Sequence, residues 1–172
     1  MVTKVESAFR FLMMLQLGTT QNLDSLARDL DAIGCNPLGS SCLPGNDLVK
    51  LCELELAPKV TEIELFVVPV RKLGFEIRAP LGEIHSRIIE LGHDLCPAEA
   101  GPQLSKQHKN QPRGQRLHVA MKSVYNPNRD NIAFCVGCED DGTLRLYSYG
   151  GYPTNYHGAD TLFVVTRRLL VS

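Results

Sequence analysis

No apolar run in this chain approaches the roughly 18–20 residues needed to cross a bilayer. A spanning helix is therefore not expected. The opening residues, Met1-Val2-Thr3-Lys4-Val5-Glu6, lack the apolar stretch and small-residue cleavage site of a secretory signal. There is no charge excess either: 18 basic and 19 acidic residues give a net charge of -1. That balance supplies no whole-molecule field to draw in nucleic acid or an anionic membrane. Internal repeats and low-complexity tracts are missing. So are a Gly-rich phosphate loop, G-x-S-x-G, H-E-x-x-H and any paired-carboxylate pattern.

What is present is ordinary globular composition. The chain has 172 residues, 44% hydrophobic and 22% charged, long enough to bury a core without disulfide or metal staples. Six cysteines occur: Cys35, Cys42, Cys52, Cys96, Cys135 and Cys138. With no export signal, reduced thiols and a cytoplasmic location are expected.

The first third reads as helical. Asn22 can cap a helix carrying Leu23, Leu26, Ala27, Leu30 and Ile33 at helical spacing, with Gly34 as terminator. The run Phe9–Leu15 fits helix or strand. Residues 35–46 read as loop. Asn46 or Asp47 could then cap a short helix through Leu56, although Cys52, Leu54 and Leu56 also alternate as a strand would. Glu62–Val68 reads as a strand closed near Pro69. A helix follows from Pro80, with Leu81, Ile84, His85, Ile88, Ile89 and Leu91 on one face and Gly92 at its end. The stretch Gln103–Gly114 reads as a surface link.

Beyond that link the period falls to two. Leu117, Val119 and Met121 alternate with Arg116, His118, Ala120 and Lys122. Ile132, Phe134, Val136 and Cys138 alternate in the same way. Asp140-Asp141-Gly142 signals a hairpin, Leu144 and Leu146 follow, and Leu162–Thr166 closes the series. The expected fold is α+β: a helical N-terminal half with one strand-helix unit, packed on a C-terminal four-stranded antiparallel β-meander. The expected division is a mainly helical 1–104 and a sheet over 115–168, within one domain.

Leu91-Gly92-His93-Asp94-Leu95-Cys96-Pro97-Ala98-Glu99-Ala100-Gly101-Pro102-Gln103-Leu104 is distinctive. With Leu73-Gly74-Phe75 before it and Gln111-Pro112-Arg113-Gly114 after it, this segment resembles a family of small, uncharacterised bacterial proteins from environmental and candidate-phylum genomes. The resemblance runs from about Leu17 to Arg168. It implies no activity, ligand or catalytic residue. The chain departs from the family pattern after Pro112-Arg113-Gly114, where Gln115-Arg116 replaces an acidic residue and a Trp; the chain has no Trp at all. Leu169-Leu170-Val171-Ser172 also extends past the basic pair where relatives stop. A stacking role for an aromatic at position 116 does not carry over.

Three groups of residues could carry chemistry. His93, Asp94, Cys96 and Glu99 lie in one short stretch, and a thiolate nucleophile needs a nearby base or cation. A thiol enzyme centred on Cys96, with His93 and Glu99, is one alternative. The favoured reading is a turn at Cys96-Pro97, with Glu99 near exposed N–H groups at a short helix start. His85, a lone histidine on an apolar face, reads as a core or boundary residue. Cys135-Val136-Gly137-Cys138 is a C-x-x-C in a strand pattern, where its thiols point apart. No metal, no zinc spacing and no cofactor are expected.

Tyrosine gives the strongest cluster. Tyr147, Tyr149, Tyr152 and Tyr156 fall within ten residues, with His157 following, and a long loop joins two strands there. Exposed Tyr offers a flat apolar surface with a polar tip. The leading expectation is a non-enzymatic binding or accessory module for an unknown protein or small-molecule partner. Its contact residues would be Tyr147, Tyr149, Tyr152, Tyr156 and His157. A weaker alternative is nucleic-acid binding by Arg116, Lys122, Arg145 and a terminal arginine, interleaved with Tyr147 on one sheet face.

Overall fold

Two strands carry apolar residues at successive positions, and they set the architecture. The computed structural model describes residues 8–35, 54–126 and 128–168. Within it, Leu65–Val68 and Phe163–Val165 are buried without a break. Successive strand side chains face opposite sides, so an unbroken apolar run must be covered on both. Leu65, Val67 and Val164 enter one core cluster; Phe66, Val68, Phe163 and Val165 enter another. These segments are the inner strands β2 (Thr61–Pro69) and β10 (Leu162–Arg167).

Around them the sheet runs β1-β2-β10-β5-β7-β6, with β1 at Arg10–Leu17, β5 at Arg116–Val119, β6 at Val124–Tyr125 and β7 at Asn131–Cys138. The short β4 (His93–Asp94) pairs with β10, and β8 (Leu144–Gly150) pairs with β7. A separate ribbon joins β3 (Arg78–Pro80) to β9 (Tyr156–Gly158). Helices α1 (Leu23–Ala32) and α3 (Ala100–Gln107) contribute to one core cluster and α2 (Leu81–Glu90) to the other.

The expected architecture is therefore corrected. The molecule is a mixed α/β fold dominated by an eight-stranded mixed sheet, with three helices among the described residues. It is not a helical half over a four-stranded meander. The β7–β8 hairpin is present, but β10 lies parallel to β5 and antiparallel to β2. The N-terminal half thus supplies β1 and β2 to the same sheet. The ambiguous run at Phe9–Leu15 is strand β1, whose partner β2 offers a matching edge.

Several local expectations hold. Asn22 caps α1 by accepting a hydrogen bond from the Ser25 N–H at 2.8 Å. Gly34 and Gly92, with φ of +71° and +90°, follow the ends of α1 and α2 in the left-handed region that suits glycine. Most of the possible helix from Asn46 or Asp47, together with Cys42 and Cys52, lies outside the described residues; its expected end, Leu54–Leu56, is neither helix nor strand.

The stretch beginning at Gln103 is not a surface link throughout. Its start belongs to α3, where Ala100–Ser105 are all buried. Gly101 permits this contact: a Cβ there would meet the Phe134 Cβ at 2.6 Å and its ring at 2.8 Å. Gly101→Ala is expected to lower stability by about 1–3 kcal/mol through overpacking. Urea denaturation measures it, and an unchanged midpoint would show that Phe134 moves aside freely.

Candidate functional site

The tyrosine segment divides between core and surface. Tyr149 lies over the middle of the sheet and donates its hydroxyl to the Val119 carbonyl at 2.6 Å. Burial pushes its phenol pKa up. Tyr147, two residues earlier on the same face, is half-buried beneath the Arg116 guanidinium, 4.6 Å from the ring centre. Gly137 gives that ring its room, since a Cβ there would lie 2.8 Å from it. Tyr152 and Tyr156 instead remain 42% and 60% exposed.

The loop carrying these two residues is fixed to α2. Its first two N–H groups, from Leu81 and Gly82, donate to the carbonyls of Asn155 and Pro153 at 2.8 and 3.0 Å. Helix N-termini leave such donors without intrahelical partners, so the loop satisfies them. Between α2 and the loop runs a groove of about 610 Å³, lined by Phe75, Pro80, Glu83, Arg87, Pro153 and Tyr156 among others. Arg87 is occupied by the Leu73 carbonyl and Glu90. Glu83 makes no ion pair with any described residue. Arg78 stacks on Tyr156 at 4.7 Å.

Behind the groove sits a cluster that the sequence reading did not assemble. His157 on β9, His118 on β5, Tyr149 and Phe163 meet ring to ring at centroid separations of 4.9–6.4 Å. His85 approaches from α2 and interacts electrostatically with His157. Burial first, then His157, lowers His85 and His118 from the usual imidazole range to about 4; Arg116 adds to the effect on His118. Burial lowers His157 too. The Cys135 sulfur lies 3.9 Å from His118 Nδ1. Among the described residues no three His, Cys, Asp or Glu side chains are arranged to hold a metal ion.

His93, Cys96 and Glu99 are not joined by hydrogen bonds. His93 stacks on Phe9 at 3.8 Å in one core cluster. Cys96, 4% exposed, belongs to the other cluster and donates weakly to the Val164 carbonyl at 3.6 Å. Burial drives its thiol pKa far up, which is the reverse of what activates a nucleophile. Glu99, 1% exposed, accepts from Gly18 N–H and Ala57 N–H, both at 2.7 Å, and from Gln103 Nε2 at 3.0 Å. Both oxygens are occupied, so the carboxylate acts as a latch between distant loops. No family model, curated protein or solved structure matches this chain.

The remaining sequence candidates separate. Cys135 faces His118, whereas Cys138 contacts the Glu139 carbonyl at the end of β7. Of the proposed basic face, Arg116 flanks Tyr147, while Arg145 pairs with Glu139 at 3.5 Å. Arg167 pairs with Glu64, and Arg168 reaches the Ile89 carbonyl and Asp94. Lys122 lines a different hollow altogether. The groove and the histidine cluster were hidden because β3 and α2 precede the tyrosine loop by some seventy residues of sequence. The one available signal was His85 on an apolar helix face.

Proposed function

We propose that the chain is a non-enzymatic binding module that takes a short extended segment of a partner protein into the groove between α2 and the Tyr152–Tyr156 loop. The observation that carries this reading is an apolar groove walled by Phe75, Pro80, Pro153 and Tyr156, held open by two backbone hydrogen bonds. A groove that is already formed costs little conformational entropy on binding. Aromatic- and proline-lined grooves suit extended chains, particularly proline-rich ones. The Glu83 carboxylate, which has no ion pair among the described residues, adds a place for a Lys or Arg of the partner. The resemblance of Leu91–Leu104 to small bacterial proteins implies no activity, so the reading rests on the groove. A cytoplasmic location belongs to the same proposal; no helix among the described residues is long and apolar enough to cross a membrane.

Panning a displayed random-peptide library on the full chain tests it. Peptides combining an aromatic or proline residue with a basic one are expected to enrich. Tyr156→Ala and Glu83→Lys are each expected to weaken a selected peptide at least about tenfold, the loss of one well-packed ring or one charge-assisted contact. Tyr152→Ala should weaken it less. Failure to enrich any sequence, or unchanged affinity in Tyr156→Ala, would overturn the assignment.

A further inference from the structure

A second hollow, about 590 Å³, lies against the other core cluster, away from the groove. Three chain segments wall it: Glu55–Pro58, Cys96–Glu99 and Lys122–Tyr125. They are tied together by specific bonds. Glu99 holds the Ala57 N–H, and the Cys96 N–H donates to the Ala120 carbonyl at 2.7 Å. Cys96 also bridges Met121 in parallel register. The hollow is therefore part of the folded frame. Its volume falls within the usual range for small-molecule sites, which are mostly apolar with a few placed polar groups.

The lining has that character. Leu17, Leu56, Ala57, Ala98 and Val124 supply apolar wall. The polar groups gather on one segment: the Lys122 ammonium, the Ser123 hydroxyl and the half-exposed Tyr125 ring with its hydroxyl. Lys122 makes no ion pair with any described residue, and neither hydroxyl has a hydrogen-bond partner among them. Of the two carboxylates present, Glu99 is saturated by three donors. Glu55 is solvent-exposed, where screening weakens its repulsion of an anion.

We propose that this hollow binds a small amphipathic monocarboxylate. Its head group lies on Lys122 and Ser123, and its hydrocarbon body against Leu17, Leu56, Ala98 and Val124. The ammonium offers a charge-assisted hydrogen bond to a carboxylate, and the apolar walls take the chain. An alcohol of the same length would lose the ionic contact, and an amine would meet repulsion.

Octanoate, octanol and octylamine, each below its micelle-forming concentration, can be titrated into the full chain by calorimetry and by amide NMR. Saturable octanoate binding is expected, with shifts confined to Leu56, Ala57, Ser123 and Val124 and their neighbours. Octanol and octylamine should bind at least about tenfold more weakly. Lys122→Ala should cost octanoate a similar factor, and Lys122→Arg should restore most of it. Lys122 is exposed, so these variants should fold. Tyr156→Ala should leave octanoate binding unchanged, which separates this site from the groove. Absence of saturable binding, equal binding of the amine, or indifference to Lys122→Ala would each overturn the proposal.

Discussion

Glu99→Ala should be among the most damaging single substitutions in this protein, lowering stability by about 3–5 kcal/mol. The carboxylate is buried, and it accepts hydrogen bonds from two backbone N–H groups and one side-chain amide. Hydrogen bonds to a charged group contribute about 1.5–3 kcal/mol each, and donors left unpaired in a partly buried place cost about 1–3 kcal/mol. The alanine variant recovers part of this, because the buried charge no longer has to be desolvated. The remainder corresponds to a fall of about 10 °C in melting temperature for a chain of this size. Glu99→Gln should fall between wild type and alanine. Its amide oxygen can still accept from one loop, but its NH₂ group must face an N–H donor of the other. Guanidinium unfolding of the three proteins measures the order. Equal stability of Glu99→Ala and wild type would mean that the latch contributes nothing.

The same residue shows where local sequence reading stops. Glu99 sits just before α3, so its neighbourhood suggests a carboxylate serving its own helix terminus. Its actual partners are 81 and 42 residues away in the chain, a relation no periodicity carries. Helices α1 and α2 were legible because caps, apolar spacing and terminating glycines are all local. Strands β2, β5, β7, β8 and β10 were legible for the same reason. Their order in the sheet was not. The parallel pairing of β10 with β5 and its antiparallel pairing with β2 depend on contacts between distant segments. One clue was available: apolar residues at successive positions in Leu65–Val68 and Phe163–Val165 indicate burial on both faces, hence inner strands under two layers. The start of α3 was legible in the short helix expected at Glu99, but its continuation past Gln103 read as linker, and nothing local showed that Gly101 lets the helix approach Phe134. For the candidate site, Tyr152 lies on the connection expected after Tyr149, whereas Tyr156 opens the short strand β9, which alternation did not reveal. Alternation placed Tyr147 and Tyr149 on one face, but it could not show that Tyr149 would be covered by the histidine cluster.

That cluster should make the protein acid-sensitive in a defined window. His85 and His118 are held neutral, with pKa values lowered from 6.5 to about 4. The unfolded chain takes up their protons as pH falls below about 6.5, while the folded chain resists until about 4. Stability from these groups is therefore complete above neutrality, declines between about 6.5 and 4, and levels off once both states are protonated. A shift of this size amounts to about 3 kcal/mol per group. Partial solvent access at both rings brings that to about 2 kcal/mol each. Because the rings share His157, the two losses will not simply add. The groups facing them are His157 from β9, Arg116 from β5, and Cys135 from β7 beside His118, with the neutral Tyr149 hydroxyl nearby. None is a carboxylate that could neutralise an imidazolium, so among the described residues each added proton meets only neutral or like-charged neighbours. Urea midpoints from pH 8 to pH 4 should fall steeply through the window. His85→Gln with His118→Gln should reduce that slope by about half. It should not remove it, since His93, His108 and His157 are lowered by burial in the same direction. A flat profile between pH 7 and 5 in the wild-type chain would mean that the imidazoles reach water more freely than their packing implies. If acid loosens this cluster, the β9 end of the Tyr152–Tyr156 loop should lose its hold on α2 first, because His157 and Tyr156 are adjacent on that strand.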